Sequence, residues 1–131
     1  MNQLRIQLDR ESLVYKPGEL LRGTAHWHLD VPQRRVEVRL CWFTGGHVIP
    51  ESRVVDTIRF QVPAAGDKRP FSFRLPLAPY SFFGSRSLLG WAVELVTLPA
   101  NQSVRAFFHL SPSGVPVHLL RREDHDEETQ T

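Results

Sequence analysis

Val14-Tyr15-Lys16-Pro17-Gly18-Glu19-Leu20-Leu21-Arg22-Gly23 is the stretch on which the reading of the fold turns. Pro17 fixes its own φ and lacks an N–H, while Gly18 can take a positive φ, so Pro-Gly suits the two central positions of a type II turn. Beyond the turn, Leu21, Gly23, Ala25, Trp27 and Leu29 fall on one face and Arg22, Thr24, His26 and His28 on the other. That period of two is the mark of a strand buried on one side. The turn is read as joining the short piece Leu13–Tyr15 to this strand, with the rest of the chain folded against the pair.

Working outward, Leu4, Ile6 and Leu8 alternate with Arg5 and Gln7 to give a strand before the turn. After Pro32 comes a clear alternation over 36–44, with Val36, Val38, Leu40 and Trp42 opposed to Glu37, Arg39, Cys41 and Phe43. Gly45-Gly46 then opens a loop, and Arg53 to Val62 returns as the second arm of a hairpin with its tip near Val48. That register sets Glu37 opposite Arg59, a favourable cross-strand pair. Pro63 to Pro70 reads as a turn-rich loop, and Phe71, Phe73 and Leu75 as a strand closed by Pro76.

Leu88 to Leu98 is apolar at nearly every position and long enough to be a buried helix. Gly90, the β-branched and aromatic content and the Pro99-Ala100-Asn101 stop decide for a strand. Ser103 to Leu110 is a further strand, and Val115 to Leu120 could add a short edge strand. No amphipathic helix is visible, so the fold class is all-β: an immunoglobulin-like, two-sheet antiparallel β-sandwich of seven to nine strands. Residues 1–120 form a single sandwich and residues 121–131 an acidic tail expected to be disordered.

Length and charge limit the function classes. A chain of 131 residues fits one domain, and it contains no apolar run of about 18 residues that could span a bilayer. The opening Met1-Asn2-Gln3-Leu4-Arg5 lacks the layout of a secretory signal, which makes the cytoplasm the expected location. The single cysteine, Cys41, forbids an internal disulfide and reads as a small buried residue. The net charge of +2 divides unevenly, because residues 121–131 hold two arginines against five acids, a net of −3, and leave +5 on the first 120. This surplus is spread along the chain, with no run or motif for nucleic acid, so nucleic-acid binding is not expected.

Two separated stretches resemble a known family. Leu4 to Asp9, followed by Tyr15, Pro17, Gly18, Glu19 and Gly23, is similar to the opening of an arrestin-fold domain with its Tyr-x-Pro-Gly-Glu-x-x-x-Gly element. Phe71-Ser72-Phe73-Arg74-Leu75-Pro76, the loop Pro79-Tyr80-Ser81-Phe82-Phe83-Gly84 and the strand from Leu89 resemble that family's Phe-x-Phe-x-Leu-Pro stretch and the loop after it. The resemblance covers roughly residues 4 to 110 and implies a single arrestin-like sandwich, akin to bacterial sporulation-control and vacuolar-sorting relatives, serving as adaptor or scaffold. Arrestins pair two such sandwiches and bind in the cleft and loops between them. With one sandwich here, that geometry is missing unless the chain pairs with a second copy or with another chain. The paired lysines of the phosphate sensor in the first strand are absent, since that strand offers Arg5, and no Pro-Pro-x-Tyr motif occurs.

Candidate sites follow from residue type. Two loops are candidates for binding a protein partner: His47, Val48 and Ile49 at the hairpin tip, and Tyr80, Phe82 and Phe83, since exposed aromatics favour binding hot spots. For the second loop the resemblance implies the alternative that its aromatic is partly a plug of the core. His26 and His28 point the same way on a strand and have the spacing of two metal ligands, with His47, His109 and His118 as possible third donors. A metal- or small-ligand-binding sandwich is therefore the alternative, although no carboxylate accompanies the pair. Asp56 and Glu94 lie within apolar strands and are explained by solvent or by an arginine such as Arg39 or Arg59. There is no nucleophile elbow and no phosphate loop, so neither catalysis nor a cofactor is expected. The arginine surplus leaves a third option, a binder of anions or of a membrane surface.

Overall fold

The computed structural model describes residues 2–61 and 63–115 and shows nine strands in two sheets, with no helix among them. The smaller sheet has the order β1 (Gln3–Leu8), β3 (Leu20–His28), β6 (Gly66–Arg74). The larger has the order β2 (Val14–Tyr15), β9 (Gln102–Leu110), β8 (Ser87–Leu98), β4 (Arg35–Gly46), β5 (Ser52–Gln61), with β7 (Phe82–Phe83) also paired to β8. All pairings are antiparallel except that of β2 with β9. The chain is thus a two-sheet β-sandwich. The expected segment 115–120 and the acidic tail lie outside the described residues beyond Val115.

The Pro-Gly turn forms as its residues require. Gly18 has φ +83° and the Glu19 N–H donates to the Lys16 carbonyl at 3.1 Å. The two sides of the turn do not pair with each other, however. Val14 and Tyr15 join β9 in the large sheet, whereas β3 lies between β1 and β6 in the small one. The turn carries the chain from one layer to the other, and buried Tyr15 packs edge-on against Phe108 at 5.5 Å. Gly23 is required by close approach, since a Cβ there would lie 2.7 Å from both the Gln7 carbonyl and the Phe71 ring.

The alternation assigned to β3 is the one observed, with Leu21, Gly23, Ala25 and Trp27 turned inward. Facing them from the large sheet are Val36, Val38, Leu40, Trp91, Val93, Leu95, Phe108 and Leu110, which with Phe71, Phe73 and Leu75 form one core. Trp91 keeps its indole N–H satisfied by donating to the Pro79 carbonyl at 2.8 Å.

Two segments read as loops are strand. Gly45 and Gly46 continue β4 opposite Leu88 and Ser87, because the backbone of 86–87 approaches so closely that a Cβ on Gly46 would meet the Arg86 carbonyl at 2.5 Å. The polar run from Gly66 to Pro70 is the first half of β6, in register with β3 from His28 to Thr24. β6 is an edge, where a proline costs no ladder bond if its nitrogen faces away from the only partner.

Candidate functional site

The two candidate loops lie at one end of the sandwich. The His47 N–H donates to the Arg86 carbonyl at 2.6 Å, which ties the hairpin tip to the turn that follows β7. At the tip Val48 is exposed and Ile49 is 89% exposed. Thr44 steadies the base of the tip, its hydroxyl accepting the Glu51 N–H at 3.0 Å while its own N–H donates to the Glu51 carbonyl. The three aromatics of the other loop part ways. Phe82 packs against the core, Phe83 lies edge-on to His109 with ring centres 5.3 Å apart, and Tyr80 is turned outward. Their anchor is Ser81, which is fully buried. Its N–H donates to the Leu110 carbonyl and its hydroxyl accepts the Leu110 N–H, so the loop takes over from β9 along β8.

Sequence reasoning missed the apolar strip next to this end. On the outer side of the large sheet, Phe43 lies across Gly90, where a Cβ would come within 2.5 Å of its ring, and meets Phe107 edge-on at 5.7 Å. Phe107 remains 55% exposed, and Val54 beyond buried Cys41 is exposed as well. The signal was available, because alternation places Phe43 and Phe107 on the faces of their strands away from the core. Burial raises the Cys41 thiol above its ordinary pKa, and its Sγ lies 3.5 Å from the Ala92 carbonyl. It is thus held as a thiol, an inert packing group.

The other half of that outer face is charged and closed on itself. Glu37 is buried, and three arginines converge on it. Arg39 and Arg59 each donate from Nε at 3.0 Å to opposite carboxylate oxygens, and Arg35 stands 3.5 Å away. Burial alone would raise the pKa of Glu37, but these hydrogen bonds and charges outweigh it and hold the carboxyl below the usual range. The expected Glu37–Arg59 pair is present in the expected register. Arg39 and Arg59 thus serve neither Asp56, which is exposed, nor Glu94, which pairs with Arg105 at 3.4 Å.

His26 and His28 lie side by side on the outer face of the small sheet. His26 stands in one row with Arg5 and Lys68, and His28 lies over Gly66. Burial, then the charges of Arg5 and Lys68, push the His26 pKa below its ordinary value. Those cations would also oppose a metal ion. Among the described residues no group of three His, Cys, Asp or Glu side chains could hold one. His47 and His109 belong to the large sheet and its tip, and His118 lies outside the described residues.

This architecture is that of an arrestin-like β-sandwich. The crystal structure of Spo0M, the sporulation control protein of Bacillus subtilis, superposes with a TM-score of 0.60 at 18% identity, over 84% of this chain and 49% of that one. The chain therefore spans about half the length of Spo0M. Two further solved structures match at TM-scores below 0.5. One is the alkylpurine DNA glycosylase AlkC of Pseudomonas fluorescens bound to DNA containing an abasic site analog (0.41, 10% identity, 82% of this chain and 30% of that one). The other is a beta-glucosidase from Listeria innocua (0.43, 14% identity, 88% and 16%). No protein-family model and no curated protein matches the chain.

Proposed function

We propose that this chain is a non-enzymatic, cytoplasmic adaptor or scaffold domain that binds a protein partner at the tip end of its large sheet. The observation that carries the reading is the exposed apolar surface at this end, Phe107 with Phe43 on the outer face and Val48 with Ile49 at the hairpin tip, on the same sheet as the charged ring around Glu37. An exposed apolar centre with a polar rim is the anatomy of a protein interface. The strand edges of β5 and β6 are poorer candidates, because they are guarded. β5 carries a bulge beside Leu40 and Cys41 together with Arg53, Asp56 and Arg59, and β6 carries Lys68 and Pro70. Such features discourage strand addition.

The likeness to a sporulation control protein fits regulation rather than chemistry, and a second copy of this chain is the partner to look for first. A photo-crosslinking residue at Ile49 tests this against one at Val31, which is exposed at the opposite end. The expected result is a discrete adduct from position 49 that Phe107→Asp abolishes, with light scattering of the purified chain deciding whether the partner is a second copy. Equal labelling from both positions, unaffected by Phe107→Asp, would end this reading.

A further inference from the structure

The arginine surplus that is scattered in the sequence is gathered in space. The outer face of the small sheet is built from Gln3, Arg5 and Gln7 of β1, from Leu20, Arg22, Thr24, His26 and His28 of β3, and from Gly66, Lys68, Pro70, Ser72 and Arg74 of β6. Within the three strands this face holds four cations and no carboxylate. Arg5, Arg22 and Lys68 are exposed, and no ion pair engages any of them among the described residues. Arg74 spends a donor on the Gly18 carbonyl at 2.8 Å. The neighbouring acids are committed elsewhere or stand off. Asp67 points between the sheets to Arg69, Glu19 turns to Arg10, and Asp9, just past β1, gives its N–H to the Arg22 carbonyl without reaching the guanidinium.

We propose that this face is a docking surface for an anionic phospholipid bilayer, an inference that goes beyond the adaptor reading and does not depend on it. Three arguments favour a bilayer over other polyanions. The charges are laid out in two dimensions, across strands about 4.8 Å apart and along roughly 20 Å of β3 from His26 to Leu20, which suits a plane of headgroups. Among the described residues no Phe, Tyr or Trp projects from the face to stack a single-stranded base, and no element stands out from it to enter a duplex groove. Gln3, Gln7, Thr24 and Ser72 offer amide and hydroxyl donors between the cations, fitted to phosphate and glycerol oxygens. With Leu20 as the only large apolar side chain on the face, attachment is electrostatic and superficial, hence reversible and sensitive to salt.

The test is sedimentation of the full chain with vesicles of equal parts phosphatidylglycerol and phosphatidylcholine, against vesicles of phosphatidylcholine alone. Binding is expected only to the anionic vesicles and weakens as salt is raised. The triple variant Arg5→Glu/Arg22→Glu/Lys68→Glu should lower the partition coefficient at least about a hundredfold, at roughly fivefold for each cation lost. Arg34→Glu/Arg53→Glu/Arg86→Glu makes the same change in net charge on other exposed surfaces and should keep most of the binding. Thermal melts within a few degrees of the wild type establish that both variants fold. The proposal is overturned by failure to bind the anionic vesicles, by equal loss in the two variants, or by tighter binding of a duplex or single-stranded oligonucleotide through the same three residues.

Discussion

The outer faces of the two sheets use the same residue type to opposite ends. On the large sheet Arg35, Arg39 and Arg59 close around the buried Glu37, and Arg105 holds Glu94. On the small sheet Arg5, Arg22 and Lys68 stand on a polar surface with no acid in contact among the described residues. A cation whose hydrogen bonds are already directed at a carboxylate has little left for a partner, whereas an unpaired one keeps its full charge for whatever approaches. What separates the faces is the position of two glutamates. A count of cations alone would rank them alike, and pairing sets them apart.

Glu37→Ala breaks the contrast most severely. It removes the one acid that three arginines share and should cost about 2 kcal/mol in denaturant unfolding. That is less than the loss on breaking a fully buried pair, because the arginine side chains are 27–56% exposed and can turn to water. By freeing those arginines it should also make the large-sheet face attractive to anionic vesicles. A second effect follows from pH. Glu37 has a folded-state pKa held below its unfolded value of about 4.3, so its contribution is fully present above that value and is lost as pH falls through the folded pKa. Wild-type stability should therefore drop more steeply below about pH 4 than that of Glu37→Gln, and the two curves should converge at the acid end.

Smallest is the reverse experiment, Lys68→Glu. It places an acid in the row of His26 and Arg5, and melting should show a gain of a few tenths of a kcal/mol from the new cross-strand attraction. A loss of stability there would argue that the row is not a cluster of like charges.

How much of this was legible in the sequence depends on how far apart the interacting residues lie along the chain. The inward face of β3, the turn at Pro17-Gly18 and the Glu37–Arg59 pair were all readable, because alternation is local and a hairpin's register follows from its turn. The gathering of Arg5, Arg22, Lys68 and Arg74 was not, since it depends on β3 lying between β1 and β6, a pairing that no nearby residue announces. The same long-range pairing turned Gly66–Pro70 from an apparent loop into a strand. At the tip end, His47 to Ile49 and the aromatic loop were picked out for their composition. That they share one end depends on the His47–Arg86 contact and on Ser81 clasping Leu110, and neither has a local signature. Phe43 and Phe107 could have been found from alternation alone, had the outward faces been read as closely as the inward ones.

The most direct test of the contrast between the faces is an NMR measurement of arginine Nε–H exchange, in the wild type and in Glu37→Gln. The hydrogen-bonded Nε–H groups of Arg39 and Arg59 should exchange slowly and shift in the variant, while those of Arg5 and Arg22 should exchange fast and stay unmoved. Uniform exchange across all four, or Arg39 and Arg59 signals indifferent to the loss of the Glu37 charge, would contradict the division of the two faces into paired and unpaired cations.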